Sequence, residues 1–407
     1  MRNIYNKLSI KSLIFFTMII MILTNAVMYL FFGAYTNVIR VDGKGYYVYL
    51  PAIFVYGNDL SFHFLEDTSE FLVNGVNRYP IGVAICWLPF WLVGRLIYSI
   101  LKVNDTGYGL IYELLILFSG FFYWAVGIIC TYKILIKKFK KETALISCLI
   151  ITYGTRLFHY STVDACLSHT YSFAFISLLG VTFIKFVETK KKWLALLCGC
   201  ELGVITAIRN VNIIVALVPI AYLLTEQVKT NKMKNFFILG MHFLIAGIGT
   251  GIGFLPMIFY WYMVTGKLIY NSYGQWSFDW FHPAFIQVLW GEDSISGMIK
   301  LSPILILVIW GAIMMLKSYR NKIVPVTMIA LLLLDFYIVS CCWAPAGLGR
   351  RNYVNMLSVI AFLISYPIEK FIVEKKGSCV VNRGIIIFVI LSTIWNVIEM
   401  VYYQLYW

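Results

Sequence analysis

The sequence predicts an all-α, polytopic membrane protein with about eleven transmembrane helices. Its 407 residues are 61% hydrophobic and only 13% charged, and the mean hydropathy is +0.81. Average soluble domains are about half apolar and a quarter charged. No soluble fold hides this much apolar surface, so we expect the lipid bilayer to be the solvent of this chain. The net charge of +14 falls in short clusters between apolar runs, which indicates topology signals and no nucleic-acid partner.

Apolar runs of spanning length recur along the whole sequence, and each predicts one transmembrane helix. They cover residues 13–32, 110–132, 143–158, 170–187, 193–208, 211–225, 236–262, 297–316, 323–343, 353–372 and 384–405. The basic segment 1–11 precedes the first run. That run is long enough to span, so we expect a retained helix and not a cleaved signal peptide.

The distribution of charge predicts the orientation of the chain. Two thirds of the 33 lysines and arginines lie before the first run or in alternate connecting segments, including the dense clusters at 137–141 and 190–192. Most acidic residues of the connecting segments lie on the other side. The positive-inside rule therefore places the N-terminus in the cytoplasm and the C-terminus outside.

One apolar stretch, residues 81–101, does not fit this alternation. Counting this stretch as a span would move the basic cluster at 137–141 to the outside. The stretch also contains Pro89, Arg95 and two tryptophans. We interpret it as an interfacial or re-entrant helix on the outer face. Residues 33–109 are then the first extracytoplasmic loop, with juxtamembrane helices, and residues 263–296 are a second large one. We predict a single transmembrane domain over residues 1–407 and no separate soluble domain.

Asp42 is the first candidate for catalysis. It follows the first helix by about ten residues and precedes Tyr46 and Tyr47 in the segment VDGKGYYVYL. A carboxylate at a partly desolvated interface can serve as a general base. The alternative is a solvated loop aspartate, which is the usual environment of a single Asp.

A second candidate segment is GLGRRNYVN, residues 347–355, between two late helices. Arg350 and Arg351 form a pair on the outer side, where the positive-inside rule disfavours cations. A phosphate is a natural partner, because a guanidinium binds it through two parallel hydrogen bonds. The alternatives are lipid headgroups and loop carboxylates such as Glu292.

Further polar residues fall near the same outer face. Asp164 and His169 lie in the segment YSTVDACLSHTYSF, and Arg209 marks the next outer turn. A lone histidine at a helix mouth is more often a hydrogen-bonded structural residue than a catalyst. Glu201, Asp335 and Glu399 fall inside spans, where carboxylates are expensive and face a cavity or a partner. These three residues keep a transporter interpretation open.

The ordered motifs resemble the GT-C class of membrane glycosyltransferases, especially the bacterial branch of the aminoarabinose–lipid A transferase and the protein O-mannosyltransferases. Asp42 matches the aspartate of their first outer loop, and NRYPIGVAICWLPFW at 77–91 is similar to their juxtamembrane helix. SHTYSF at 168–173, GKLIYNSYGQWSF at 266–278 and SGMIKLSP at 296–303 resemble later segments. The segment at 347–355 is similar to their Gly-x-Gly-x-Arg segment, which places Arg351 at the family arginine. Unlike many members, the chain has Gly43 where a second acidic residue often follows.

This resemblance implies a GT-C-like helical bundle in a bacterial plasma membrane. It implies an inverting transferase with a polyprenyl-phosphate-linked sugar donor and an acceptor that the sequence does not identify. Asp42 would be the base, Arg351 the phosphate ligand with Arg350 and Arg209 assisting, and a divalent cation stays open. We expect substrate-binding residues at the positions Tyr46, Tyr47, His169 and Glu292. The alternative function is a transporter, flippase or accessory protein of cell-surface polysaccharide assembly.

Overall fold

The computed structural model describes residues 9–32, 38–230, 233–274, 278–291, 296–342 and 348–406. Over these residues the chain is mainly helical, and nine helices are long and apolar enough to cross a membrane. The strands described there form one short antiparallel hairpin, Leu72–Val73 with Val76–Asn77. The protein is an all-α, multi-pass membrane bundle, as its composition predicts.

The first half of the bundle contains both long helices and short ones of six residues. Its helices are α1 Ile10–Phe32, α2 Asp42–Tyr47, α3 Tyr49–Phe54, α4 Gly82–Leu101, α5 Leu110–Leu135, α6 Lys141–Tyr153, α7 Leu157–Thr162, α8 His169–Thr189 and α9 Lys192–Ile208. The two-stranded hairpin lies between α3 and α4.

The second half contains more interrupted helices. Its α-helices are α10 Leu217–Thr230, α11 Met233–Thr265, α12 Phe285–Trp290, α13 Met298–Leu301, α14 Ile306–Ser318, α15 Ile323–Cys341, α16 Leu357–Pro367 and α17 Cys379–Tyr406. Short 3₁₀ segments at Asn210–Ala216, Pro303–Leu305 and Arg351–Met356 precede α10, α14 and α16, and a π-helical turn at Ile368–Val373 follows α16.

Each predicted span overlaps a helix of the structure, but several are not continuous. The run 143–158 is divided, because α6 ends at Tyr153 and α7 begins at Leu157. The Asn396 side chain of α17 donates to the backbone oxygens of Tyr153 and Thr155, each at 2.8 Å, and so satisfies carbonyls at this break. The run 297–316 is divided before Pro303, which has no backbone N–H to continue the helix.

The stretch 81–101 forms one continuous helix, α4, of 20 residues with Pro89 inside it. Its inner face is buried against α5: the Trp91 and Tyr112 rings stack at 5.2 Å, and a Cβ on Gly94 would lie 2.7 Å from the Tyr112 ring. The helix is long enough to span a bilayer. Its predicted interfacial location and the orientation of the termini stay predictions.

Helices α9 and α11 approach each other through glycines. A Cβ on Gly199 or Gly203 would lie 2.0 or 2.3 Å from a backbone oxygen of α11. A Cβ on Gly249 or Gly253 of α11 would likewise lie 2.2 Å from a backbone oxygen of α9. Such close contact between backbones is how helices gain van der Waals energy in lipid, where apolar burial alone gives no preference.

Candidate functional site

Asp42 and Arg351, 309 residues apart in the sequence, are in direct contact. The Arg351 Nη2 atom donates to Asp42 Oδ2 at 2.5 Å, and each side chain is 16% exposed. The other carboxylate oxygen, Oδ1, accepts a hydrogen bond from the Tyr79 hydroxyl at 2.9 Å. Two segments that are distant in sequence therefore meet at one partly exposed ion pair.

The backbone is unusual immediately before each member of the pair. Val41 has φ 49° and ψ −125°, and Arg350 has φ 51°. Positive φ is rare outside glycine and is strained for a β-branched residue, where such geometry costs about 1–3 kcal/mol. Such geometry persists only where the surrounding fold maintains it, and it also occurs at residues outside this site, such as Asn58 and Phe62.

Tyr79 is fixed on several sides. Its backbone N–H donates to Asn77 Oδ1 at 2.9 Å, and its carbonyl accepts from the Tyr49 hydroxyl at 2.7 Å. Arg78 Nη2 donates to the Tyr79 hydroxyl at 3.1 Å. A Cβ on Gly45 would lie 2.1 Å from the Tyr79 ring, so only glycine fits there. Burial and the Asp42 carboxylate raise the pKa of Tyr79, which keeps its hydroxyl protonated as a donor.

Arg209 lies beside the pair, at the end of α9. It donates to Ser168 Oγ at 3.4 Å and to Asn352 Oδ1 at 3.2 Å. Asn352 directly follows Arg351, so the two guanidinium-bearing segments are adjacent. Within the described ranges no carboxylate is in ion-pair distance of Arg209, so its charge is available to an anion. The Arg350 side chain is buried.

The other predicted substrate residues have different environments. Tyr46 is on the Asp42 side of α2, but its ring is buried against Tyr79 and Trp87. Tyr47 points into the core, where its hydroxyl donates to the Gly107 carbonyl at 2.5 Å and accepts from Trp91 Nε1 at 3.0 Å. The structure does not bring Tyr47 to Asp42. Glu292 lies outside the described residues, as does the segment 343–347.

His169 is buried in a chain of polar side chains. Its Nδ1 atom is 3.1 Å from Asn355 Oδ1. Asn355 in turn donates to Asn212 at 3.3 Å, and Asn212 donates to Ser172 at 3.0 Å. These bonds tie α8, the turn before α10 and the Arg351 segment together. They give His169 the hydrogen-bonded environment of a structural residue.

A second charged cluster adjoins the site, and sequence reasoning identified only one of its members, Asp164. Arg40 Nη2 donates to Asp164 Oδ1 at 2.5 Å, and His159 Nε2 is 2.9 Å from Asp164 Oδ2. Burial pushes the pKa of Asp164 upward, but His159 and Arg40 outweigh it and hold this pKa well below its ordinary value. The ionised carboxylate thus fixes Arg40, two residues before Asp42.

No three His, Cys, Asp or Glu side chains cluster as a metal site in the parts of the chain that the structure describes. The Asp42 carboxylate has one cationic partner, Arg351, and one neutral donor, the Tyr79 hydroxyl.

A cavity of about 640 Å³ lies between α8, α10, α15 and α16. Its walls are mainly apolar, with Leu179, Phe183, Met328 and Phe362 among them, and Lys137, Lys138 and Glu188 lie at one end. This end is opposite the Asp42 site, because α8 begins at His169 and its 21 residues extend about 31 Å. The cavity therefore belongs to the membrane-embedded part of the bundle.

Neither family models nor curated protein sequences match the chain. Among solved structures, it is similar to the crystal structure of ArnT from Cupriavidus metallidurans bound to undecaprenyl phosphate. The two share 11% sequence identity with a TM-score of 0.49, and the similarity covers 86% of this chain and 59% of ArnT. The chain thus spans about three fifths of the length of that protein.

Proposed function

We propose that the chain is a membrane glycosyltransferase that moves a sugar from a polyprenyl-phosphate donor to an extracytoplasmic acceptor, with inversion at the anomeric carbon. The observation that carries the proposal is the contact between Asp42 and Arg351. It unites a candidate base and a candidate phosphate ligand at one partly exposed site. The motif resemblance to GT-C transferases supports the same pair of roles.

Arg351 is the proposed ligand of the donor phosphate. Its planar guanidinium matches two phosphate oxygens and stays charged at every physiological pH. As the bond between the sugar and the phosphate breaks, negative charge grows on the leaving phosphate. A cation already in place stabilises that transition state more than the ground state. Arg209, adjacent through Asn352, adds a second positive charge.

Asp42 is the proposed general base. The acceptor hydroxyl or amine attacks the anomeric carbon and its proton passes to the Asp42 carboxylate. One bond forms between the acceptor atom and this carbon. The bond between the carbon and the phosphate oxygen breaks, and the phosphate leaves with the electron pair as polyprenyl phosphate. A single displacement of this kind inverts the anomeric configuration.

The bundle also suits a lipid-linked substrate. Its apolar cavity and its long helices give an isoprenoid chain an environment without water. A bacterial plasma membrane supplies such donors, and the acceptor is a lipid, a cell-surface glycan or a protein.

The carboxylates inside the predicted spans favour this proposal over a transporter or flippase. A transport path needs ionisable groups that line a route across the membrane. Glu201 accepts a hydrogen bond from Thr182 at 2.8 Å between α8 and α9, whereas Asp335 is buried in α15. Glu399 is half-buried on α17. None of these three residues is among those that line the cavity.

The test measures release of polyprenyl phosphate from a panel of polyprenyl-phosphate-linked hexoses and pentoses, in membranes that contain the chain. This readout does not require a known acceptor. We expect Asp42→Asn to reduce release about 100-fold or more, the usual contribution of a general base. Asp67→Asn, at an exposed carboxylate of the same loop, is the matched control and should retain activity. Near-normal release by Asp42→Asn at equal expression would overturn the base assignment.

A further inference from the structure

The contact between Asp42 and Arg351 leaves no space for a sugar. In a single displacement, the anomeric carbon lies between the attacking atom and the leaving phosphate oxygen. The base and the phosphate ligand must therefore lie on opposite sides of that carbon, as the two carboxyl groups of inverting glycosidases lie about 6.5–9.5 Å apart. In the structure the Arg351 guanidinium is 2.5 Å from the Asp42 carboxylate.

Resting on the proposed function, we propose that the donor phosphate takes the Arg351 guanidinium from Asp42, and that Tyr79 holds the carboxylate in place during this exchange. The lipid phosphate and the carboxylate compete for one cation. The acceptor gains access to Asp42 Oδ2 only after the donor has bound. Donor binding thus precedes acceptor binding.

The two sides of the ion pair differ in how firmly they are held. Asp42 is at the first turn of α2, and its Oδ1 atom is bonded to Tyr79, which has hydrogen bonds to Asn77, Tyr49 and Arg78. Among the described residues, the Arg351 guanidinium instead has Asp42 as its one hydrogen-bond partner. The geometry identifies Arg351 as the partner that moves.

Tyr79 is accordingly a positioning residue that acts through Asp42. Its hydroxyl donates to one carboxylate oxygen and so withdraws some negative charge from the other. Loss of this hydrogen bond should leave the carboxylate a stronger competitor for Arg351. That loss should therefore weaken phosphate binding. Removal of the carboxylate charge should instead strengthen phosphate binding. A residue that only maintains the fold would instead weaken phosphate binding to the same extent with and without the Asp42 carboxylate.

The experiment measures the affinity of the purified chain in detergent for polyprenyl phosphate without a sugar. Relative to the wild type, we expect Asp42→Asn to bind about tenfold more tightly, since one charged hydrogen bond no longer competes. Tyr79→Phe should bind several-fold more weakly. The double variant should match Asp42→Asn, because Tyr79 acts only through that carboxylate. Asp67→Asn should not change the affinity.

The outcomes separate this inference from the proposed function. Equal or weaker binding by Asp42→Asn, in a protein whose thermal unfolding is that of the wild type, would overturn the exchange but leave the transferase proposal intact. A Tyr79→Phe effect that persists in the double variant would remove Tyr79 from this role. Absence of polyprenyl phosphate binding by the wild type, or unchanged binding by Arg351→Ala, would overturn both.

Discussion

The ion pair between Asp42 and Arg351 should be visible as coupling in protein stability. Its hydrogen bond of 2.5 Å joins two charged groups that are 16% exposed. A hydrogen bond to a charged group contributes about 1.5–3 kcal/mol. Breaking a fully buried pair costs about 3–5 kcal/mol, and partial hydration of this site lowers that figure. We therefore expect a coupling free energy of about 1–3 kcal/mol.

A double-mutant cycle measures this coupling directly. The cycle compares the free energy of unfolding in mixed micelles for the wild type, Asp42→Asn, Arg351→Met and the double variant. Each single change leaves its partner without an opposite charge, so the double variant should be less destabilised than the sum of the two single variants.

The salt bridge between Lys44 and Glu70 provides a matched control in the same loop. Its atoms are 2.8 Å apart, but the side chains are 50% and 54% exposed. Pairs this exposed are screened by water and contribute little, about 0–1 kcal/mol. The same cycle at Lys44 and Glu70 should give the smaller coupling. If the coupling free energy between Asp42 and Arg351 is no larger than that between Lys44 and Glu70, the contact between Asp42 and Arg351 is refuted.

Three further predictions follow from contacts near the site and in the bundle. Gly45→Ala should displace the Tyr79 ring, which a Cβ would approach to 2.1 Å. We expect polyprenyl phosphate release to fall at least tenfold, whereas Gly384→Ala, at an open position on α17, should retain activity. The pKa of Asp164 is lower in the folded chain than in the unfolded chain, where it is about 4. The ionised carboxylate therefore stabilises the fold above about pH 4, and this stabilisation is lost as the pH falls from there through the pKa of the folded state. The difference in unfolding free energy between the wild type and Asp164→Asn should therefore narrow below pH 4, and a constant difference would contradict the assigned ion pair. Gly203→Leu should lower the free energy of unfolding by about 1–3 kcal/mol, because its Cβ would lie 2.3 Å from the Thr250 oxygen of α11. Gly251→Leu, on the open face of α11, should leave the free energy of unfolding nearly unchanged.

The bundle was predictable because hydropathy is a property of each segment by itself. Every span predicted from an apolar run overlaps a helix, and the helix boundaries mostly agree within a few residues. The break before Pro303 has a local signal in the proline itself. The break after Tyr153 was missed because Asn396, which satisfies carbonyls there, is distant in sequence. A local pattern carries no information about such a partner.

The site was predictable in part. Asp42 and Arg351 were singled out for their positions and for the motif resemblance, and the structure places them in contact. Tyr79 was missed, although the proline-aromatic segment that contains it was noted, because its role depends on a fold that brings it to Asp42. His159 was missed because one histidine in an apolar helix has no sequence signal of its carboxylate partner, which lies five residues later.

The most direct test of the account is a structure of the chain with polyprenyl phosphate bound. We predict that phosphate oxygens lie about 2.7–2.9 Å from the Arg351 guanidinium nitrogens, and that Asp42 keeps its hydrogen bond to Tyr79 while it is separated from Arg351. A phosphate bound at the Lys137 end of the bundle, or one near Arg351 with the Asp42 contact unchanged at 2.5 Å, would contradict the account.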